Sequence, residues 1–139
     1  MATFQTSLVI QTQGRGFYEL TDKLRGIVAG ATIETGLMHM FVQHTSASLL
    51  LCEHADPDVR HDLDQFMSKL VPDGHPSYVH SAEGPDDMPA HIRSVLTQNS
   101  LSIPIQNHNL ALGTWQGLYL WEHRTYPHRR SSVVTLLGT

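Results

Sequence analysis

Apolar and polar side chains alternate near the start of the chain and then change period. Over residues 4–12, the segment FQTSLVIQT places every second side chain on one face, which predicts a half-buried β-strand. Over residues 18–30, apolar side chains recur every three to four positions, which predicts an amphipathic helix that ends at Gly30. The apolar positions of this helix are Leu20, Leu24, Ile27 and Val28.

Residues 37–43 and 47–53 form two short apolar runs with small polar residues between them. Runs of this length, bounded by turn-forming residues, are typical of strands. Thr45 and Ser46 lie in the connection, and His44 lies where the first strand would end. We therefore expect a pair of strands with polar side chains gathered at their ends.

The strongest helix signal begins at Asp56. A carboxylate at this position can cap the helix, Pro57 suits the first helical position, and the charge of Asp58 favours the positive end of the helix dipole. Pro72 and Gly74 then end the helix. Its predicted inward positions are Val59, Leu63, Phe66, Met67 and Leu70.

A shorter helix of the same design is predicted over the segment MPAHIRSVLTQ, with Pro89 near its start. Its predicted inward positions are Ile92, Val95 and Leu96.

The last third of the chain is rich in predicted strands, at residues 100–105, 110–124 and 129–138. The segment QNHN between the first two is typical of a hairpin connection. The order of elements is therefore β-α-β-β-α-α-β-β-β. This order indicates one domain over residues 1–139, of the α+β class, with mixed or antiparallel sheets.

Composition narrows the class of protein. There are 9 lysine and arginine residues against 13 acidic ones, and the formal net charge is −4. This balance argues against a nucleic-acid partner, which requires clustered cations. The adjacent pair Arg129 and Arg130 is expected to lie on the rim of a strand.

Cysteine content and hydropathy predict the compartment. The single cysteine, Cys52, cannot form an internal disulfide, and we expect it to be buried and inert. No segment resembles a signal peptide, and none has the ~20 apolar residues of a membrane span. We expect a cytoplasmic protein with no membrane partner.

The ten histidines are the outlier of the composition. His44 lies at a predicted strand end, and His80 and His91 bracket a loop that is rich in acidic residues. Loops positioned by a rigid scaffold concentrate binding residues. The three histidines can therefore converge, and three imidazoles with an open position are typical ligands of a catalytic zinc site. The acidic residues near these histidines are Glu53, Asp56, Glu83, Asp86 and Asp87.

Each of these residues also has a simpler structural role open to it. A lone histidine at a strand end, such as His44, is more often a hydrogen-bonded structural residue. Asp56 can serve simply as a helix cap, and Asp86 and Asp87 can simply begin a helix. The sequence contains neither an HExxH pair nor a glycine-rich phosphate loop, so the metal interpretation depends on convergence in three dimensions.

Glu122 falls on the leucine-bearing face of a predicted strand, together with Gln116. A buried carboxylate without a partner is costly, so Glu122 is expected either to leave the core at the strand end or to meet a partner such as a metal-binding histidine. Trp115 and Trp121 lie on the opposite face. They could stack on an aromatic ligand, although large aromatic side chains on a sheet more often belong to a core or a subunit interface.

Three segments together carry a resemblance to a known family: HTSASLLLCEHADPDV, HSAEGPDDMPAHI and SLSIPIQNHNLALGTWQGLYLWEHR. They resemble the YjbQ-like family, whose small bacterial and archaeal members are often labelled secondary thiamine-phosphate synthases. The resemblance runs from about Phe4 to Gly138. It implies an α+β sandwich of two small sheets that assembles as a homotrimer, with polar sites near the subunit interfaces.

The family pattern falls on His44, Glu53, Asp56, His80, Glu83, Asp87, His91, Trp115, Gln116 and Glu122. Two positions depart from it. His54 stands where asparagine is common, so the hydrogen bonding near Asp56 is expected to differ from the family pattern. His108 occupies a hairpin position where glycine usually gives a positive φ, which suggests a different turn.

The resemblance implies a transferase that joins a hydroxymethylpyrimidine diphosphate to a thiazole phosphate and releases pyrophosphate. A divalent cation would stabilise the leaving diphosphate, and its identity stays open, because carboxylates suit Mg²⁺ whereas imidazoles suit zinc or acid–base roles. The catalytic candidates are Glu53, Asp56, Glu83, Asp87, Gln116 and Glu122, and the metal-binding candidates are His44, His80 and His91.

A dedicated diphosphate enzyme would normally carry more cations than this chain, whose lysines are Lys23 and Lys69. We therefore expect the synthase activity to be secondary, with an unknown main small-molecule substrate. Two other classes stay open. One is a metal-binding homotrimer without turnover, and the other is a metal-dependent hydrolase or lyase of a small phosphorylated metabolite.

Overall fold

Eight strands and three helices make up the computed structural model, which describes residues 1–139. In chain order they are β1 (Ala2–Gln11), β2 (Gly16–Glu19), α1 (Thr21–Gly30), β3 (Gly36–Val42), β4 (Ala47–Glu53), α2 (Pro57–Leu70), α3 (Asp87–Leu96), β5 (Ser100–Gln106), β6 (Asn109–Leu110), β7 (Gln116–Glu122) and β8 (Arg129–Gly138). The strands form a five-stranded sheet, β1-β8-β3-β5-β6, and a three-stranded sheet, β2-β7-β4. Every strand pairing is antiparallel, which confirms the α+β class and the two-sheet architecture.

The two sheets and α1 enclose one core of 18 buried residues. Alternation along the strands explains which residues form this core, because every second side chain of β3 and of β7 faces the opposite sheet. Helix α1 adds its inward positions to the same core. Typical members are Met38 and Met40 of β3, Leu118 and Leu120 of β7, and Leu24 and Val28 of α1.

Helices α2 and α3 cover the outer face of the three-stranded sheet. Met67 and Val71 pack on Trp121 there, and Phe17 stacks on the same indole with ring centroids 4.8 Å apart. Trp121 is therefore a core residue, whereas Trp115 is exposed. No helix is long and apolar enough to cross a membrane.

The predicted inward faces of α2 and α3 are partly wrong. Phe66 and Leu70 of α2, and Val95 and Leu96 of α3, are all more than half exposed. Each helix crosses a sheet of only three strands, so a narrow stripe is enough to cover it. In α2 this stripe runs through Leu63 and Met67 at helical spacing. It continues to Val71, which directly follows the helix.

The start of α2 agrees with the prediction. Asp56 is the N-cap, and its carboxylate accepts a hydrogen bond of 2.9 Å from the backbone N–H of Asp58. The unusual neighbour His54 leaves this cap intact, because its ring nitrogens lie 3.3 Å from the Glu19 carboxylate and from the Thr114 carbonyl.

Strand β2 was not predicted, because its four residues are too few to display a period. The hairpin at residues 106–109 was predicted and connects β5 to β6. Asn107 and His108 both have positive φ, of 50° and 62°, as a two-residue hairpin turn requires. The expected change of turn at His108 is therefore wrong, and its Nε2 lies 3.0 Å from the Val28 carbonyl of α1, where the ring can donate.

A buried ion pair joins the two sheets at the ends of β7 and β8. Glu122 is fully buried, and both of its carboxylate oxygens accept hydrogen bonds from the Arg130 guanidinium. The Thr12 hydroxyl donates a further bond of 2.6 Å to the same carboxylate. Glu122 thus meets an arginine rather than a metal-binding histidine, and Arg130, which was expected on a strand rim, is 4% exposed.

Removal of one partner from this pair should be far more damaging than removal of both. We expect Arg130→Met to lower the free energy of unfolding by about 3–5 kcal/mol, because it leaves Glu122 buried and uncompensated. Adding Glu122→Gln should recover most of that loss. Urea denaturation measures both effects, with the exposed neighbour Arg129→Met as a control that should change stability by less than about 0.5 kcal/mol. A double variant no more stable than Arg130→Met would contradict this account.

His123 follows β7 directly and is fully buried. Its Nε2 lies 2.8 Å from the Ser48 hydroxyl, while its Nδ1 has no partner. Burial, reinforced by the nearby charges of Arg93 and Arg15, lowers the pKa of His123 to about 3. The imidazole is therefore neutral in the folded chain near neutral pH.

This buried imidazole should make stability depend on pH. Because the pKa is about 3 in the folded chain and ordinarily 6.5, the unfolded chain binds the proton first as the pH falls. His123 should therefore cost stability increasingly below pH 6.5, approaching about 1.4 kcal/mol per pH unit. Urea denaturation between about pH 7 and pH 5 should show a flatter pH dependence for His123→Gln, but not for the exposed control His61→Gln. Equal slopes in all three proteins would rule out this role.

Candidate metal centre

The loop between α2 and α3 and the first turns of α3 bring two histidines to one aspartate. His80 lies in the loop, Asp87 is the first residue of α3, and His91 follows one helical turn later. Residues four apart lie on the same face of a helix, so Asp87 and His91 point to the same side.

These three side chains converge closely. Their candidate ligand atoms all lie within 4.8 Å of one another. The Oδ2 atom of Asp87 is 2.7 Å from His80 Nε2 and 3.3 Å from His91 Nε2, and the two imidazole rings are nearly perpendicular with centroids 5.2 Å apart. We refer to His80, Asp87 and His91 as the triad.

Arg124 holds the carboxylates of Asp86 and Asp87 in place. Its Nη1 lies 3.0 Å from Asp87 Oδ1, and its Nε donates a bond of 2.9 Å to Asp86 Oδ2. Its Nη2 donates to the backbone carbonyl of Glu83, which ties the loop to the end of β7. Since Arg124 occupies Oδ1 of Asp87, Oδ2 is left between the two imidazoles.

The arginine and neighbouring hydrogen-bond donors together keep both aspartates ionised. Burial alone would raise the pKa of Asp87, but the hydrogen bond from His80 and the charge of Arg124 outweigh it, and the pKa is lowered. Asp86 follows the same logic: burial opposes ionisation, yet hydrogen bonds from Arg124 and from the backbone of Thr125 bring its pKa to about 2. Two buried carboxylates are therefore charged near neutral pH.

His44 lies near the triad but outside it. It lines the same cleft as His91, in the connection between β3 and β4. Its Nε2 accepts a hydrogen bond of 2.7 Å from the backbone N–H of Ser131, so this nitrogen carries no proton. Burial, followed by the charge of Arg130, lowers its pKa. The predicted convergence of three histidines thus holds for His80 and His91, with Asp87 in the third place.

The other candidate residues engage neighbours along the chain. The Glu53 carboxylate accepts from the backbone N–H of Asp56, and the Gln116 side chain accepts from that of Gly113. Glu83 meets Arg124 only through its backbone carbonyl. None of these residues, nor Asp56 or Glu122, belongs to the triad.

Cys52 is half-buried rather than fully buried. Burial raises the pKa of its thiol, although the charge of Arg60 opposes the shift. The thiol therefore stays protonated near neutral pH, which agrees with the expected lack of reactivity.

Sequence reasoning missed the arginines that organise this region. Arg124 is the last residue of a predicted strand, and Arg130 lies in an alternating one, so each has a place in the pattern but no motif. The available signal was the position of Glu122 on an apolar face, which demands a cation nearby. Two of the nine basic residues satisfy the acids at the ends of β7 and α3.

The family model for UPF0047 protein YjbQ-like matches residues 6–139. The UPF0047 protein sll1880 of Synechocystis is 52% identical over 140 residues, covering 99% of this chain and 95% of that protein. The YjbQ protein of Escherichia coli O157:H7 is 42% identical over 136 residues, covering 97% and 98% of the two chains.

The chain belongs to the UPF0047 family of YjbQ-like proteins. A hypothetical protein of Aeropyrum pernix superposes with a TM-score of 0.88 at 26% identity, covering 98% of this chain and 99% of that one. A conserved hypothetical protein of Thermus thermophilus gives 0.84 at 35% identity, covering 95% and 99%. The UPF0047 fold therefore extends over nearly the whole chain.

These findings overturn the expected thiamine-phosphate synthase activity. The matched relatives are named only as UPF0047 proteins, and a Sulfolobus solfataricus structure with a TM-score of 0.86 at 21% identity is described as a protein of unknown function. None of these names attributes pyrimidine or thiazole chemistry to the family. The assignment as a thiamine-phosphate synthase was wrong, and the function has to be argued from the geometry of the triad.

Proposed function

We propose that the triad binds one divalent transition-metal ion, and that this ion is the functional centre of the protein. The observation that carries the proposal is the convergence of two imidazoles on one buried carboxylate, with all candidate ligand atoms within 4.8 Å. Tetrahedral ligands bound at zinc distances lie about 3.3 Å apart. The His91–Asp87 contact already has that length, at 3.3 Å, and the His80–Asp87 contact would need to lengthen slightly from 2.7 Å.

The donor set favours zinc or a similar ion over Mg²⁺. Imidazole nitrogen suits zinc, iron, nickel and copper, whereas Mg²⁺ prefers oxygen ligands and retains water. Two imidazoles and one carboxylate also form a recurrent ligand set of catalytic zinc and iron sites, which leave coordination positions open. This consideration narrows the choice between zinc and magnesium that the sequence left open.

Arg124 would act as the support of the site rather than as a ligand. It occupies Oδ1 of Asp87 and helps to hold the carboxylate ionised, so that Oδ2, whose contacts are with the two imidazoles, can bind a cation together with them. Supporting contacts of this kind orient ligands and tune metal affinity. The ionised state of Asp87 matters because a protonated carboxyl would be a poor ligand near neutral pH.

The exposure of the triad suits a centre that exchanges its ligands. Half of the His80 side-chain surface and a third of that of His91 are exposed, while Asp87 is buried below them. A bound zinc ion supplies Lewis acidity and lowers the pKa of coordinated water to about 7. His80 and His91 would hold the ion at the surface of the cleft, where a small molecule can reach it.

Metal binding should disappear when His80 is replaced. We expect the metal-free protein to bind one Co²⁺ ion per chain, with visible absorption bands typical of nitrogen and oxygen ligands, and His80→Ala to weaken this binding at least tenfold. Absorption titration and elemental analysis of the purified protein measure the effect. His61→Ala, which removes an exposed histidine of α2, is the matched control and should bind normally.

Unchanged Co²⁺ affinity in a folded His80→Ala variant would exclude the triad as the metal site. Circular dichroism of each variant separates that outcome from a loss of fold. Failure of the unaltered protein to bind either Co²⁺ or Zn²⁺ would show that the triad is an ordinary cluster of hydrogen-bonded side chains and not a metal site.

We also propose that the chain assembles as a homotrimer, as the resemblance to the YjbQ-like family implies. The outer face of the five-stranded sheet supports association with further copies. No helix covers this face, and Leu37 stands between Leu137 and Pro104 on the adjacent strands. Arg129 is the one arginine, lysine or carboxylate among the outward positions of β1, β3, β5 and β8. Such a face can be buried against a different surface of the next copy, as a three-fold ring requires, without leaving many of its own charges unpaired.

A charge placed on this face should dissociate the assembly. We expect the unaltered protein to have the mass of three chains by light scattering, and Phe41→Glu to yield monomers because the new carboxylate would be buried at the contact. Phe66→Glu, on the solvent side of α2, is the control and should remain associated. A monomeric unaltered protein, or a trimeric Phe41→Glu variant, would show that this face does not mediate association.

A further inference from the structure

We propose that the cleft beside the triad contains a second site, which binds an oxyanion such as a carboxylate or phosphate group through Arg130 and His44. This inference rests on the proposed metal centre only for the functional role of the anion site, because the anion would be held next to the metal ion. The binding of the anion depends on different residues and can be measured without metal.

The cleft runs from His91 of the triad along the end of α3 to the start of β8. One part, of about 460 Å³, is lined by His91, His44 and residues at the end of α3. The adjoining part, of about 480 Å³, ends at Arg130. His44, Thr45 and Asn99 line both parts, so the two volumes form one groove with the triad histidine at one end and the arginine at the other.

Arg130 offers the groove an unused hydrogen-bond donor. Its Nε and Nη2 atoms are engaged by Glu122 and Ser46, whereas Nη1 forms no hydrogen bond. Nη1 is not fully buried, so it retains contact with solvent although Arg130 as a whole is only 4% exposed. A guanidinium fixed on two sides with its third nitrogen free is a preorganised donor for an anion.

His44 supplies a second donor whose tautomer is set by the fold. Its Nε2 accepts from the backbone N–H of Ser131, so the proton of the neutral ring resides on Nδ1. Nδ1 has no partner within the chain, and the ring lines both parts of the groove.

Three consecutive backbone N–H groups add to this donor set. Those of His44, Thr45 and Ser46 donate to no acceptor within the chain, although each residue lines the Arg130 end of the groove. Successive free amides in a loop are a common way for proteins to bind anions. The loop itself is held by Arg130, whose Nη2 donates to the backbone carbonyl and the hydroxyl of Ser46.

The charges around the groove are consistent with an anionic ligand. No aspartate or glutamate lines either part, although the chain carries a net charge of −4. The carboxylate of Glu122 is fully buried behind Arg130, where it fixes the guanidinium and faces no solvent. Because Glu122 balances the charge of Arg130, the site should rely on several donors at once and bind simple anions weakly.

The ligand class that fits is a small metabolite with a carboxylate or phosphate at one end. The remaining lining is rich in hydroxyl and amide groups, including Thr97, Gln98 and Asn99, which suits a polar molecule rather than an apolar one. With its anionic group at Arg130 and His44, such a molecule would extend along the groove toward the triad. The substrate class proposed here is therefore a polar organic acid or a phosphate ester.

The test uses the full-length, metal-free protein, with inorganic phosphate and acetate as probes at constant ionic strength. We expect saturable shifts of the amide resonances of His44, Thr45 and Ser46 in two-dimensional NMR spectra. The double variant Arg130→Met/Glu122→Gln, which keeps the region free of an uncompensated charge, should bind at least tenfold more weakly. Arg129→Met removes an exposed arginine one residue away and should bind like the unaltered protein.

The outcomes separate the two proposals. Saturation by phosphate but not acetate would support a phosphate ester as ligand, and the reverse preference would support a carboxylic acid. Equal binding by the double variant, or shifts that chloride reproduces at the same concentration, would overturn the anion site. Phosphate binding in a protein that binds no Co²⁺ would retain the anion site and reject the metal centre, and the opposite pattern would do the reverse.

Discussion

The ion pair between Glu122 and Arg130 connects most of the structural features that position the cleft. It joins β7 of the small sheet to β8 of the large one, and it holds the connection between β3 and β4 through Ser46. Desolvation makes such a pair expensive, so it contributes little stability unless additional hydrogen bonds satisfy the buried carboxylate. Thr12 and the backbone of Arg124 complete the coordination of Glu122, which shows how the cost is offset.

A second arginine repeats this arrangement two residues after Glu122. Arg124 lies between Asp86 and Asp87. Its hydrogen bond to Asp86 lowers the pKa of that carboxylate, and its charge adds to the hydrogen bond from His80 in lowering the pKa of Asp87. The two arginines thus have complementary effects on the cleft. Arg124 presents an aspartate oxygen to the imidazoles of the triad, whereas Arg130 is presented by a glutamate and keeps one donor free. Both ends of the cleft are therefore organised by buried ion pairs, which direct Asp87 Oδ2 to the imidazoles at one end and leave Nη1 of Arg130 without a hydrogen bond at the other.

The predictable part of the fold is the part governed by local periodicity. The strand pair around His44, the cap at Asp56 and the turn at Asn107 follow from patterns that extend over a few residues. The inward faces of α2 and α3 do not, because Phe66 and Val95 are exposed only as a result of how narrow the small sheet is. Helical spacing indicates that a face is apolar but not how much of it another element will cover.

The site was predictable in its residue types but not in its partners. The approach of His80 to His91 followed from a loop bracketed by histidines. Arg124 meets the aspartates at the start of α3, and Arg130 of the large sheet meets Glu122 of the small one, only through the packing of elements that are distant in sequence. If a cation and an anion bind at opposite ends of the groove, each raises the affinity for the other by the same factor, because coupling between sites is reciprocal. A polar acid that reaches the triad while its anionic group contacts Arg130 would benefit from both ends of the groove. A metal ion without an anion, or a simple anion without the metal ion, contacts only one of the two preorganised ends of the groove. Each should bind more weakly on its own than when the other is also bound.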